Sequence, residues 1–217
     1  EADGLDLYFV SNREPRAVET ECVFRVDGRQ PECWDPLTGS VRNLPEFRTH
    51  GGLTTLPLHF EPHESYFVAF RRPAQPAEVK AGKNWISHAP VLEIRGPWEV
   101  QFDRKLGGPG AVNFTTLEDW TRRPEPGVRC YSGIATYRTR FDLPKGADRG
   151  AGMRIALGEV HVMARVRLNG GDLGTVWCAP WSVEIGADVR AKGNELEIDV
   201  ANLWPNRLIG DQALPER

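Results

Sequence analysis

Apolar and polar residues alternate with a period of two along most of the chain, and no long run shows the spacing of an amphipathic helix. In residues 135–141, apolar side chains alternate with Thr136, Arg138 and Arg140. Such a run predicts a strand with one buried face and one face in water. The same alternation recurs at 98–102, 162–168 and 196–200. The pattern therefore predicts an all-β fold.

The first part of the chain shows a second group of strand patterns, at 7–10, 19–26, 53–60 and 66–70. Residues that tolerate a positive φ separate many strands, which predicts hairpins at Asp27-Gly28, Asn169-Gly170-Gly171 and Lys192-Gly193-Asn194. Short antiparallel strands joined by such turns are typical of β-sandwiches.

Residues 73–84 contain two prolines and a single large apolar side chain, as an interdomain linker does. We therefore expect two domains. Residues 1–78 are predicted to form a small antiparallel β-sandwich, and residues 85–217 a larger one with its own core. The first is small enough to depend on a neighbour for stability.

The composition narrows the class of protein. The chain has 217 residues and a net charge of −3, so it lacks the basic excess that nucleic-acid binding requires. No apolar stretch approaches the roughly 20 residues that span a bilayer, and the start lacks the pattern of a signal peptide. We expect a soluble chain that is either processed or part of a longer protein, without a nucleic-acid or membrane partner.

One disulfide follows from the first predicted hairpin. If Asp27-Gly28 form its two-residue loop, Cys22 lies opposite Cys33 and the two can bond. The same register places Pro31 opposite Phe24 at a hydrogen-bonded position, where proline cannot donate, so a bulge or an edge position must intervene. The bond and two separate thiols are both open at this point.

The remaining chemistry-bearing residues point away from a complete active site. Cys130 and Cys178 are either buried thiols or a second bridge, and the dispersed histidines lack the spacing of a zinc site. The sequence has no nucleophile elbow, phosphate-binding loop, zinc-protease motif or dinucleotide motif. Four carboxylates are candidates for glycoside hydrolysis by residue type alone: Glu159, Asp188, Asp199 and Asp211. Nothing in their spacing favours catalysis over a structural role.

Seven tryptophans are a high number for this length. Trp98 alternates with two apolar residues and is predicted to be in the core. Trp120, Trp177 and Trp181 lie in segments that break the alternation, and Trp120 is followed closely by Arg122 and Arg123. Flat exposed rings beside such groups are typical of sugar sites. Alternatively, these rings cap the ends of the sandwich or pack against another domain.

Three polar side chains near the C-terminus carry an amide, a guanidinium and a carboxylate: Asn206, Arg207 and Asp211. We expect Leu208 and Ile209, between them, to anchor the segment to the core. Arg207 either pairs with a carboxylate, Asp211 or Glu159, as a structural clasp, or binds sugar hydroxyls directly.

Several segments resemble those of known glycosidases. Residues 131–141, 157–160, 166–174 and 193–196 resemble the sugar-binding jelly-roll domain of glycoside hydrolase family 2. The closing segment, 202–211, resembles the end of the galactose-binding-like domain of family 106 α-L-rhamnosidases. Segments 8–13, 24–26, 34–39 and 66–70 resemble the β-domain that precedes it in the same proteins.

This resemblance implies that the second domain is a galactose-binding-like jelly roll. It also implies that the catalytic carboxylates belong to a barrel domain upstream, so the chain is expected to be the C-terminal accessory region of a glycosidase. A secreted or periplasmic location in a bacterium follows from the family, and so does a structural calcium, although the sequence shows no calcium motif. No other cofactor is expected.

The leading hypothesis is a non-catalytic carbohydrate-binding module for plant or microbial polysaccharides. Its site is predicted in loops at one end of the second domain, with six contributing residues: Trp120, Tyr131, Trp177, Trp181, Asn206 and Arg207. A second hypothesis is a structural accessory domain that supports a catalytic barrel without binding sugar, and that exposes an apolar patch where its partner belongs. The third is a glycosidase active on its own.

Overall fold

A computed structural model of the chain describes residues 4–74, 82–147, 152–186 and 188–212. The chain divides into two compact units, Glu1–His88 and Ala89–Arg217. In both, the sheets are antiparallel and the helices are few and short, which confirms the all-β prediction. No described helix is long and apolar enough to span a membrane.

The described residues of the first unit form seven strands in two sheets. They are β1 (Asp6–Ser11), β2 (Val18–Phe24), β3 (Arg29–Trp34), β4 (Val41–Asn43), β5 (Arg48–His50), β6 (Leu53–Phe60) and β7 (Ser65–Pro73). One sheet has the order β1-β7-β3-β4 and the other β2-β6-β5. Alternate residues of β6, among them Leu56 and Leu58, join Val68 and Phe70 of β7 in one apolar core. Alternation along each strand thus supplies a core drawn from both sheets.

The prediction of a hairpin at Asp27-Gly28 is wrong. Gly28 does adopt a positive φ of 65°, but the turn leads from one sheet to the other, because β2 pairs with β6 whereas β3 pairs with β7 and β4. Cys22 therefore lies opposite Leu56 and not opposite Cys33, and both cysteines are free thiols. Burial raises the pKa of the Cys33 thiol to about 11, as expected of an unreactive core cysteine.

The predicted linker at 73–84 includes residues 75–81, which lie outside the described residues. Asn84, at its end, is buried in the first unit. Its side-chain amide nitrogen donates to the backbone carbonyls of Glu46 (2.7 Å) and Pro57 (2.9 Å). Trp85, where the second domain was expected to begin, stacks on His59 at 5.7 Å between ring centroids. The first unit accordingly extends to His88.

Eight strands are formed by the part of the second unit that the structure describes. They are β8 (Trp98–Phe102), β9 (Ala111–Phe114), β10 (Gly133–Phe141), β11 (Met153–Ala156), β12 (Met163–Leu168), β13 (Gly171–Val176), β14 (Ser182–Ile185) and β15 (Asn194–Asn202). Six form a sheet with the order β13-β12-β15-β10-β8-β9, and β11 pairs with β14. Two helices complete the unit, α1 (Pro126–Arg129) and α2 (Pro205–Gln212).

The predicted wet face of β10 is confirmed by its cross-strand neighbours. Arg138 lies opposite Glu197 of β15, which in turn lies opposite Arg167 of β12, and the side chains form ion pairs across the sheet. The opposite face of the same strands contributes buried residues such as Tyr137 and Val166. Trp98 is 2% exposed, as predicted for a core residue.

Two of the predicted turns have different outcomes. Asn169 and Gly170, with φ of 54° and 86°, close the predicted hairpin between β12 and β13. Gly193 also has a positive φ, 65°, but the strand before it, β14, pairs with β11 and not with β15. That turn therefore connects two sheets and is not a hairpin.

Candidate functional site

Strand register places most of the predicted sugar-binding residues at one end of the second unit. Ala201 of β15 lies between Ile134 of β10 and Met163 of β12, so β15 ends where β10 and β12 begin. β8 and β13 also end there. The segments beyond these strand ends carry Tyr131, the loop 177–181 and helix α2. We call this end of the unit the α2 end.

Trp120 is not available to a sugar, because it is a core residue. It lies in a 3₁₀ turn, Trp120–Arg122, capped by the Asp119 carboxylate, which accepts a 2.8 Å hydrogen bond from the Thr121 backbone N–H. The indole is 8% exposed and its Nε1–H donates to the buried Tyr137 hydroxyl. A buried tryptophan normally needs such an acceptor, and here the fold supplies it.

Tyr131 is also a core residue, only 1% exposed. Its ring packs edge-to-face against Phe102 at 5.0 Å and against Trp120 at 5.7 Å between centroids. Its hydroxyl accepts from the Asp103 backbone N–H (3.1 Å) and donates to the Ile134 carbonyl (3.0 Å). The tyrosine thus ties the segment after β8 to the start of β10, and the prediction of a surface ring at this position is corrected.

The loop between β13 and β14 keeps the other two rings nearer the surface. Trp177 is 62% exposed, and Trp181 is half-buried. The Trp181 carbonyl accepts a 2.8 Å hydrogen bond from the Leu157 backbone N–H, which holds the loop beside the segment after β11. The loop also contains a cis peptide bond between Ala179 and Pro180. Of the four predicted rings, these two can reach a ligand.

Arg207 lies on α2, and its contacts are with neighbouring groups of the protein. Its Nε is 2.9 Å from Oδ1 of Asp211, one helical turn further on, and its backbone N–H donates to the Ser132 hydroxyl at 3.1 Å. The guanidinium also lies against the backbone of Gly107, where an added Cβ would be 2.7 Å from Nη1. Asn206 is half-buried beside it. The clasp between Arg207 and Asp211 is therefore the observed one of the two pairings considered from sequence.

Helix α2 was not predicted, and its apolar residues do not point where they were expected. Leu208 and Ile209 were expected to anchor the segment to the core, but they are 62% and 65% exposed. The inner side of the helix is occupied instead by Gly210, which lies so close to Cys130 that an added Cβ would be 2.6 Å from the cysteine Cβ. Proline at the first helical position, Pro205, was the one signal that could have indicated the helix start.

The four carboxylates considered from sequence are not assembled into a visible acid and base pair. Asp199 lies on the wet face of β15, where it pairs with Arg167 at 2.8 Å and accepts a 2.7 Å hydrogen bond from the Thr136 hydroxyl. Asp211 pairs with Arg207, and Glu159 and Asp188 are exposed in loops. The ion pairs of Asp199 and Asp211 are structural contacts, which is one of the two roles predicted for these carboxylates.

Within the part of the chain that the structure describes, no three histidine, cysteine, aspartate or glutamate side chains are grouped to hold a metal ion. The structural calcium implied by the family resemblance therefore has no group of three carboxylates to bind it among those residues.

Comparison with known proteins shows which proteins this chain is similar to, and the geometry of the site does not show this by itself. The alpha-L-rhamnosidase family, glycoside hydrolase family 106, matches residues 1–49. The rhamnosidase from Novosphingobium sp. PP1Y matches 100% of this chain at 37% identity, with a TM-score of 0.81. The chain is related to glycoside hydrolases. The predicted resemblance to family 106 rhamnosidases is thereby confirmed.

A curated relative agrees with this relationship. A protein of Formosa agariphila, provisionally named beta-glucuronidase, is 39% identical over 127 residues, which are 58% of this chain. The match spans 11% of that protein, and the match to the Novosphingobium rhamnosidase spans 20% of that enzyme. The glycosidase relationship therefore concerns a minor part of each relative.

Proposed function

We propose that the chain is a non-catalytic accessory region of a glycoside hydrolase. The observation that carries the proposal is the match to the Novosphingobium rhamnosidase, in which the whole of this chain corresponds to 20% of the enzyme. Four fifths of that polypeptide are thus available to hold the reacting groups. The proposal includes the location expected from the family, outside the cytoplasm.

The contacts of the carboxylates support the non-catalytic role. A general acid in a glycosidase needs a raised pKa and a position near a second carboxylate. Asp199 instead pairs with Arg167, and the pKa of the Arg167 guanidinium is raised by its hydrogen bonds to Asp199 and Glu197. Both side-chain oxygens of Asp199 thus have partners within the sheet, Arg167 at Oδ2 and the Thr136 hydroxyl at Oδ1.

Hydrolysis assays test this proposal directly. The purified chain is incubated with nitrophenyl α-L-rhamnoside and nitrophenyl β-glucuronide, the two substrate types suggested by the names of its relatives, and nitrophenol release is measured. We expect no release above the blank. Release that elutes with the chain on gel filtration and is lost in Asp199→Asn or Asp211→Asn would overturn the proposal.

Carbohydrate binding is a second candidate function, favoured by the exposure of Trp177 in the loop that it shares with Trp181. An exposed indole can stack on the apolar face of a sugar ring. The two buried rings, Trp120 and Tyr131, take no part in this version of the site.

Calorimetric titration tests the second candidate. Xylan, pectic rhamnogalacturonan and β-glucan are titrated into the chain and into the variants Trp177→Ala and Trp181→Ala. We expect weak heats with one of the polysaccharides that disappear in Trp177→Ala. A matched control is Trp204→Ala, which removes another exposed indole at the same end of the unit. Equal heats in all variants, or none in any, would exclude the site.

A further inference from the structure

Helix α2 has the reverse of the usual distribution of side chains on a surface helix. A helix at the surface normally buries its apolar side chains and exposes its polar ones. In α2 the half-buried positions are Asn206, Arg207 and Gly210, while Leu208 and Ile209 face solvent. Trp204, one turn before Leu208, is 70% exposed.

The orientation of α2 is fixed by specific contacts. The Ser132 hydroxyl donates to the Leu203 carbonyl at 2.7 Å and accepts from the backbone N–H of Arg207 at 3.1 Å. Gly210 allows the helix to lie directly on Cys130, where no other residue would fit without movement. The apolar side chains therefore face outward because the inner face is already occupied.

The exposed apolar surface continues from α2 onto the neighbouring strands. Ile134, Ala201 and Met163 are cross-strand neighbours on one face of the sheet, and the first and last are 58% and 43% exposed. Leu203, two residues beyond Ala201, is 56% exposed. We call Leu203, Trp204, Leu208, Ile209 and this strand row the α2 patch.

Other exposed large apolar side chains of the second unit also favour this end. Of the eleven that the structure describes in this unit, eight lie at or next to the α2 end, and Leu117, beyond the end of β9, lies elsewhere. An apolar surface concentrated in one place is typical of an interaction site, whereas scattered apolar residues are not.

We propose that the α2 patch docks against the remaining polypeptide of a rhamnosidase-type glycoside hydrolase. This inference rests on the proposed accessory role and names the surface that performs it. The occupant is argued from length, since the Novosphingobium rhamnosidase has four fifths of its chain outside the match. Apolar side chains at the centre, with the Arg207 and Asp211 ion pair beside them, fit the composition of a buried interface with a polar rim.

Hydroxyl-radical footprinting tests the docking. Two samples are compared: this chain alone, and a full-length chimera in which the chain replaces the matching fifth of the Novosphingobium rhamnosidase. We expect oxidation of Trp204, Leu208 and Ile209 to fall severalfold in the chimera relative to the chain alone. Leu117 serves as the internal reference and is expected to react equally in both samples.

A charged substitution gives a second readout. Leu208→Glu in the chimera is expected to restore the oxidation of Trp204 to the level of the isolated chain and to lower the melting temperature of the chimera. In the isolated chain the same substitution is expected to leave the melting temperature unchanged, because Leu208 is exposed there. The matched control Leu117→Glu, at another exposed leucine, is expected to change neither quantity.

Two results would overturn the inference. Equal oxidation of the α2 patch in the chain and in the chimera would show that the remaining polypeptide does not cover it. Self-association of the isolated chain that Leu208→Glu abolishes, with an unprotected patch in the chimera, would assign the surface to a second copy. Failure of the accessory role itself is recognised separately, by glycoside hydrolysis by the chain alone.

Discussion

The two aromatic pairs predicted to share one sugar site have opposite environments. Trp120 and Tyr131 are buried against each other, whereas Trp177 and Trp181 lie in a loop at the edge of the sheet, with Trp177 largely exposed. All four lie outside the strands. A tryptophan outside a strand is therefore not by itself a surface residue, and its surroundings decide what it can contact.

The difference has a physical cause in the sheet. The segment with Trp120 folds back over the sheet through a capped 3₁₀ turn, and a buried hydroxyl, that of Tyr137, satisfies its indole nitrogen. Trp177 instead follows β13, an edge strand with no further strand beside it in that sheet. Packing therefore buries the ring of Trp120, whereas the ring of Trp177 is exposed. Substitutions in the buried pair and in the loop pair test this difference.

The largest expected effect is on stability at Trp120. Trp120→Ala removes a buried ring with edge-to-face neighbours and is expected to destabilise the second unit by about 3–5 kcal/mol. Trp177→Ala is expected to change the free energy of unfolding by no more than about 0.5 kcal/mol, because the ring is exposed. Urea unfolding followed by circular dichroism measures both. Similar losses in the two variants would break the distinction.

Tyr131→Phe tests the hydrogen bonds made by the buried pair, Trp120 and Tyr131. The substitution keeps the ring but leaves the Asp103 N–H and the Ile134 carbonyl without their hydroxyl partner. Unsatisfied buried groups cost about 1–3 kcal/mol, so we expect a loss near 2 kcal/mol in the same unfolding experiment. A neutral result would mean that water reaches these groups and that Tyr131 is less enclosed than its 1% exposure indicates.

Gly210→Ala tests how α2 is seated. Within a helix this substitution normally stabilises, by roughly 0.5–1 kcal/mol. Here the new Cβ would be 2.6 Å from Cβ of Cys130, so we expect a net loss of about 1 kcal/mol or more. Gly186→Ala, which lies outside any helix, controls for the added methyl group alone, because a Cβ there meets nothing within 4 Å. Stabilisation of Gly210→Ala would show that the helix does not rest on Cys130.

The smallest expected effect on stability is at Leu208, an exposed apolar side chain of α2. Leu208→Glu in the isolated chain is expected to change the free energy of unfolding by less than about 0.5 kcal/mol, since a solvated side chain replaces another. Differential scanning calorimetry measures it. A loss of 2 kcal/mol or more, on the order of a buried leucine, would place Leu208 in a core.

Some of this architecture was predictable from the sequence because it is local. Alternation with a period of two predicts strands such as β10, and the positive φ of Asn169 and Gly170 closes the predicted hairpin. Other features depend on contacts between distant segments. The pairing of β2 with β6 separates Cys22 from the expected register with Cys33, and no local pattern indicates that choice.

The candidate site was less predictable than the fold. Helix α2 has only eight residues and exposes its apolar side chains, so its pattern contradicts that of an ordinary surface helix. The burial of Trp120 depends on Tyr137, which lies on a distant strand face. Most of the predicted residues do lie at one end of the unit, but tertiary packing decides which of them are accessible.

The rate of oxidation of each tryptophan in the isolated chain tests the central claim most directly. The claim is that the α2 end combines a closed aromatic core with an open apolar surface. Hydroxyl-radical labelling followed by peptide mass spectrometry is expected to find Trp177 and Trp204 severalfold more reactive than Trp98 and Trp120. Reaction of Trp120 as fast as that of Trp177 would contradict the account.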